Sequence, residues 1–255
     1  MARHRRSHAY LAAVLALGAC SGGGDDQPAD HDAAGGPDAP VGGPDAAVDG
    51  PSPDAGLVWA TYRIDVGRHD ATITGGGTDN PIRAFTQVDG RDFLFAFDSS
   101  AAYTLTMPTQ PEDQFDWNKL PGLSDCGTVD LSVNGTMFGW RWRLDTNPRV
   151  LEVTAYANNN STHLTPPQPL FTLDAAELAS ETPLRYRTWF DGNVYRFTVK
   201  GTIGGRTIDV ATTLPRTCPN AMAHAFKWAS GLYFGGTSTA PSVVTGKISE
   251  TTFAP

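Results

Sequence analysis

Apolar and polar side chains alternate with a period of two over several short runs, which is the pattern of half-buried β-strands. Ile82-Arg-Ala-Phe-Thr-Gln-Val88 and Arg91-Asp-Phe-Leu-Phe-Ala-Phe97 flank Asp89-Gly90. Leu184-Arg-Tyr-Arg-Thr-Trp-Phe190 and Asn193-Val-Tyr-Arg-Phe-Thr-Val199 flank Asp191-Gly192. With Asn134-Gly135 and Gly204-Gly205, these dipeptides tolerate positive φ and predict two-residue hairpins. Leu173-Asp-Ala-Ala-Glu-Leu-Ala179 is helix-like for two turns at most, with Asp174 placed to cap it. About a dozen short strands over residues 57–255, joined by hairpins and Pro-rich loops, predict an all-β fold: a single antiparallel β-sandwich of the jelly-roll, concanavalin-like type.

Strand parity sorts the side chains of three runs. In Thr136–Leu144 the positions Phe138, Trp140, Trp142 and Leu144 share one face, leaving Arg141 and Arg143 on the other. In Val150–Ala157 the apolar set is Leu151, Val153 and Ala155, opposite Glu152, Thr154 and Tyr156. In Leu184–Phe190 the polar side carries Arg185, Arg187 and Trp189. If the three strands share a sheet, Arg141, Arg143, Glu152, Tyr156, Arg185, Arg187 and Trp189 form one cationic and aromatic glycan-binding face. Guanidinium forks hold carboxylates bidentately, and flat rings stack on sugars. The alternative is a solvated outer face whose Arg and Glu pair across strands for about 0.2–1 kcal/mol each.

Composition divides the chain before residue 57. Arg3, Arg5 and Arg6 precede the apolar run Tyr10–Ala19, which is too short for a permanent membrane span and reads as an export signal over residues 1–19. The run ends Leu17-Gly18-Ala19-Cys20, which resembles a bacterial lipobox, so Cys20 is expected to become an acylated mature N-terminus carrying diacylglycerol and a further chain such as palmitate. Each buried methylene adds about 0.8 kcal/mol of membrane affinity, and several chains together anchor stably. Residues 21–56 contain nine Gly, eight Asp, seven Ala and six Pro and no aromatic residue, so residues 20–56 form a lipidated, disordered acidic tether that cannot bury a core. The expected address is the bacterial cell envelope, at the outer membrane, with the lipid anchor as the membrane partner.

The charge split also bears on partners. The overall −8 resolves into +3 for residues 1–20, −8 for 21–56 and −3 for 57–255. The nearly balanced sandwich region lacks the concentrated basic surface of a nucleic-acid binder. With Cys20 acylated, Cys126 and Cys218 are expected to form a disulfide in an oxidising compartment. No C-x-x-C occurs and His69, His163 and His224 are dispersed, so neither a metal nor a cofactor is expected.

Four blocks, Asp116-Trp-Asn-Lys-Leu-Pro-Gly-Leu-Ser-Asp-Cys126, Phe138-Gly-Trp-Arg-Trp142, Leu151-Glu-Val-Thr-Ala-Tyr156 and Leu232-Tyr-Phe-Gly-Gly-Thr-Ser-Thr-Ala-Pro241, resemble a family of uncharacterised bacterial exported proteins and lipoproteins. Tyr62–His69 and Phe93–Asp98 are similar to its opening strands. The resemblance implies a β-sandwich and no established activity. Its pattern also places adjacent histidines between the first two blocks, where Gly127–Met137 has none.

Catalytic motifs are sparse. The sequence has no G-x-S-x-G, G-x-x-x-x-G-K-[ST] or H-E-x-x-H. The acidic cluster Glu112-Asp113-Gln-Phe-Asp116, between Pro111 and Pro121, lacks the spacing that sets two glycosidase carboxylates on one strand face and reads as a solvated loop. Ala225-Phe-Lys-Trp-Ala-Ser-Gly-Leu-Tyr233 loosely resembles a strand of alginate lyases, without their companion Gln-x-His and Arg-x-Glu motifs. The reading is therefore a membrane-anchored lipoprotein that binds glycan or another envelope component, with no catalytic residue assigned. The alternative is a polysaccharide-cleaving jelly-roll enzyme, a lyase or a glycoside hydrolase.

Overall fold

Backbone pairing places the strands in two antiparallel sheets. The computed structural model describes residues 57–75, 83–85, 88–217, 227–251 and 253. One sheet orders β13 (Arg206–Pro215), β12 (Val194–Ile203), β11 (Leu184–Asp191), β4 (Gly90–Phe97), β15 (Val244–Thr251), β1 (Ala60–Ile64) and β2 (Thr72–Gly75). The other orders β10 (Phe171–Leu173), β8 (Val150–Asn159), β7 (Gly135–Arg143), β6 (Leu123–Ser124), β14 (Lys227–Ala229) and β3 (Arg83–Phe85). In this eight-stranded sheet β5 (Asn118–Lys119) also pairs with β7, and β9 (Thr162–Leu164) with β8. The fold is thus an all-β antiparallel sandwich of the jelly-roll type. The export signal, Cys20, the tether and Cys218 lie outside the described residues.

The core follows the alternation. Phe138, Trp140 and Trp142 of β7 and Leu151, Val153 and Ala155 of β8 face Tyr186 of β11, Phe197 of β12 and Phe93, Phe95 and Phe97 of β4. Edge-to-face contacts join the layers, Phe138 with Phe197 at 5.4 Å and Phe97 with Trp140 at 5.5 Å between centroids. Burying a phenylalanine of this kind contributes about 1.5–3 kcal/mol. A polar link within the interior joins the hydroxyls of Thr136 on β7 and Thr188 on β11 at 2.6 Å.

Local signals for turns hold where the two strands are sequence neighbours. Gly204 and Gly205, at φ 58° and 77°, close β12 onto β13. Gly192, at φ 57°, begins the two-residue turn joining β11 to β12, which is Gly192-Asn193, one residue later than the expected Asp191-Gly192, because Asp191 still pairs with Val194. The helix α1 (Ala175–Ala179) starts at Asp174, whose carboxylate accepts from the backbone N–H groups of Ala176 and Glu177. Two expected hairpins are absent. β3 pairs with β14 and β4 with β11 and β15, so Asp89-Gly90 joins two different sheets. Gly90 is required for packing instead, because a Cβ there would lie 2.5 Å from the Phe253 ring and 2.6 Å from Trp189 Cβ. Gly135 is the first residue of β7, and a loop over 125–134 connects it to β6.

Candidate functional site on the outer face of the eight-stranded sheet

The seven residues expected on one face divide between two sheets. Arg141, Arg143, Glu152 and Tyr156 lie on β7 and β8, whereas Arg185, Arg187 and Trp189 lie on β11 in the other sheet. The shared face is therefore corrected: period-two alternation specifies which way a side chain points and not which sheet its strand joins.

Nor is either group a set of unengaged side chains. Arg185 donates from Nε and Nη2 to the two carboxylate oxygens of buried Asp92 at 2.8 and 2.6 Å, and Arg187 approaches the same carboxylate at 3.1 Å. The Arg187 guanidinium also stacks near Trp189 and Phe253. On the eight-stranded sheet, Glu152 is 7% exposed and receives Arg141 Nε and Arg143 Nη1 at 2.8 Å each. Arg143 further forks onto Asp145, and Arg141 donates to the Phe115 carbonyl while covering the Trp117 ring at 3.9 Å. The covering segment is a 3-10 helix, Pro111–Phe115, that the sequence reading had as a solvated loop. Asp113 is buried there, and hydrogen bonds from Ser238, Thr237 and the Gln110 amide hold its carboxyl below the ordinary range although burial pushes it up.

Beside this cluster, five side chains form a row. The His69 ring stacks on Tyr233 at 5.4 Å, the Lys119 ammonium lies over the rings of Tyr233 at 5.9 Å and Tyr156 at 5.2 Å, and Tyr156 meets His163 at 5.7 Å. The backbone sets this spacing. Lys119 N–H donates to the Tyr233 carbonyl at 2.8 Å and Tyr233 N–H to the Lys119 carbonyl at 2.9 Å, while Phe234 N–H donates to the His69 carbonyl. Lys119 is in register with Gly139 of β7, where a Cβ would approach Trp117 and the Thr154 methyl, so the glycine lets Trp117 pack against the sheet. Asn118, one residue before, points inward and ties Tyr103 to the Gly235 amide.

Both histidines have defined proton positions. His69 Nδ1 lies 2.8 Å from the Phe234 carbonyl, which only accepts, so Nδ1 carries the proton and Nε2 holds the lone pair of the neutral ring. Asn158 donates its amide N–H to the Leu131 carbonyl, which turns its Oδ1 toward His163 Nδ1 at 2.5 Å and fixes His163 the same way. Burial raises Tyr156 to about 12, with Asp116 adding to the rise. Burial and Asp70 raise Tyr233 as well, so both phenols stay protonated donors at neutral pH. Burial lowers the Lys119 ammonium and Asp116 partly restores it; burial and neighbouring Asp113 in turn raise Asp116.

The sequence reading placed Tyr156 at the site and missed Lys119, Tyr233, His69, His163, Asp116 and Trp117. The signal available was that Asp116–Lys119, Leu151–Tyr156 and Tyr233–Gly236 fall in blocks singled out in the sequence. Within the alginate-lyase-like stretch, Tyr233 enters the row. Lys227 does not; it is fully buried beside Asp89 at 3.4 Å and over the Phe190 ring. On the opposite sheet a shallow depression lined by Trp189, Arg196, Thr198, Thr212 and Thr213 presents Arg196 as its charged group. Among the described residues no cluster of three or more His, Cys, Asp or Glu side chains is arranged to hold a metal.

No family model matches the chain, and no curated protein matches it. Among solved structures it is similar to an alginate lyase from Klebsiella pneumoniae, at TM-score 0.42 and 13% identity over 64% of this chain, and it spans 58% of the length of that lyase. It is also similar to LamAcat from Zobellia galactanivorans, at TM-score 0.39 and 10% identity over 74% of each chain. A carbohydrate binding module from Bacillus subtilis aligns at TM-score 0.29 and 11% identity, over 76% of this chain and 93% of that one. These likenesses transfer no residue role to this chain.

Proposed function

We propose that this protein is an exported lipoprotein, held in the cell envelope through acylated Cys20, whose sandwich engages polysaccharide along the row from His69 to His163. The observation that carries the reading is the convergence of Lys119, Tyr156 and Tyr233 on one sheet face with their polar atoms unengaged. Among the described residues neither phenol has a hydrogen-bond partner, and the ammonium has neither a hydrogen bond nor an ion pair. Such donors match the acceptor atoms of a glycan. The test is titration calorimetry of the full chain against a set of soluble polysaccharides, with Tyr233→Ala beside the wild type. Binding by the wild type and its loss in the variant supports the reading, and no binding to any polysaccharide rejects it. Mass spectrometry of the mature N-terminus tests the anchor: an unmodified start at a residue other than Cys20 rejects that part.

A second reading, cleavage of the bound chain, is favoured by the His69–Tyr233 contact, which stacks an imidazole, able to act as a base, on a phenol, able to act as an acid. A two-carboxylate hydrolase is not favoured, because both Asp113 oxygens are taken up by Thr237 and Ser238. Release of new unsaturated or reducing ends by the wild type, lost in His69→Ala, establishes cleavage.

A further inference from the structure

We infer that the centre of the row is an anion subsite built on Lys119, so that the polysaccharide it takes is acidic, bearing a uronate carboxylate or a sulfate ester. This rests on the polysaccharide reading above and adds to it the charge of the ligand. Of the cations on this face, Arg141 and Arg143 are neutralised by Glu152 and Asp145 at 2.7–2.8 Å. Lys119 is different: it is half-buried among aromatic rings and, among the described residues, forms no ion pair. An ammonium has three donors and no acceptor, and desolvating it without a counter-charge is costly. The groups around it are donors too. Tyr156 is 95% buried, yet its hydroxyl still reaches solvent and has no protein partner. The nearby carboxyl, Asp116, raises the ammonium against the effect of burial but forms no ion pair with it among the described residues.

A neutral sugar hydroxyl both donates and accepts, so a neutral glycan would be met by a mixture of donors and acceptors. The central group, the Lys119 ammonium, only donates and carries charge, which suits an acceptor-only oxyanion, and the phenols of Tyr156 and Tyr233, which donate as well as accept, can add to it. Acceptors sit at the ends, at the Nε2 atoms of His69 and His163, where hydroxyls of neighbouring sugar units would donate. Gly235 lets the main chain pass close to the ammonium: a Cβ at that position would lie 2.8 Å from Lys119 Nζ and 2.0 Å from the Trp117 carbonyl oxygen.

The test is binding of the detergent-solubilised full chain to polygalacturonate and to its carboxyl-reduced counterpart, and to dextran sulfate and dextran. The expected result is preference for at least one acidic polymer over its neutral partner. Lys119→Met should lower acidic binding at least about tenfold and neutral binding by much less, Lys119→Arg should retain the preference, and Tyr156→Phe, which removes only the hydroxyl, should lower it several-fold. Equal affinity for the acidic and neutral members of both pairs, or a preference that survives Lys119→Met in folded protein, overturns the anion subsite and leaves the polysaccharide reading standing. Failure to bind any of the four polymers removes the polysaccharide reading itself.

Discussion

Lys119 and Tyr233 are joined twice: each backbone N–H donates to the other's carbonyl, at 2.8 and 2.9 Å, and the lysine ammonium lies 5.9 Å from the centre of the tyrosine ring. A two-residue strand and an isolated bridge residue, more than a hundred positions apart, are thereby held in fixed register on the outer face of the eight-stranded sheet. Two backbone hydrogen bonds position both side chains, so the site is preorganised by the fold and not by the side chains themselves.

That register depends on a close approach next to it. A Cβ on Gly235 would stand 2.0 Å from the Trp117 carbonyl oxygen, and main chain cannot turn aside as a side chain can. Gly235→Ala is expected to cost about 1–3 kcal/mol or more through overpacking. It should abolish glycan binding at the same time, read by urea unfolding and by titration on the same preparation. A variant of wild-type stability that still binds would show that the approach is not needed.

Arg216 and Asp125 form a fully buried ion pair at 2.6 Å, with Tyr195 donating to the same carboxylate and Arg216 to the Gly192 carbonyl. Arg216→Ala leaves Asp125 uncompensated and is expected to cost about 3–5 kcal/mol. Arg63→Ala, in the exposed Arg63–Asp65 pair, should stay within about 0.5 kcal/mol. Equilibrium denaturation of the two variants side by side checks the contrast.

Arg206, 2.6 Å from Glu177, holds that carboxyl below its ordinary value of 4.5 against the opposing effect of burial. Because the folded value is the lower one, the stabilisation is complete above the ordinary value and is lost as pH falls through the folded value. Glu177→Gln should therefore destabilise the protein at about pH 6 and converge with the wild type near pH 3. Thermal melts across that range test the sign; a difference that grows on acidification contradicts it.

What was legible in the sequence was local. Gly204-Gly205, Asp191-Gly192 and the Asp174 cap each act on residues a few positions away, and alternation in β7 and β8 correctly sorted Trp140 and Trp142 inward. Sheet membership was not legible, because Asp89-Gly90 looks like a hairpin whether its flanks pair with each other or with strands in different sheets. The burial of Glu152 and Tyr156 was missed for a related reason. Parity shows that they leave the core, but the cover over them comes from Pro111–Lys119 and Tyr233, which no local pattern connects to β8. Lys119 carries no signal of its own; only the pairing with Tyr233 and the rings around it distinguish it from a surface lysine.

Cys126, in a left-handed conformation at φ 57° just after β6, is proposed to pair with Cys218. Closing a loop of roughly 90 residues is worth about 4 to 5 kcal/mol in the chain-entropy model, less any native strain. Reduction should lower the unfolding midpoint of the wild type and leave Cys126→Ser/Cys218→Ser unmoved, and thiol titration of oxidised, unfolded protein should find neither cysteine reactive. Two reactive thiols in that titration would reject the pairing.

On the proposed function, glycan lies on the outer face of the eight-stranded sheet, across Lys119. The most direct measurement is a crystal structure of the protein with a bound acidic oligosaccharide. A carboxylate or sulfate is expected within hydrogen-bond distance of Lys119 Nζ and Tyr156 Oη, with sugar rings extending toward His69 or His163. An oligosaccharide seated instead in the depression at Trp189 and Arg196 on the seven-stranded sheet would contradict it.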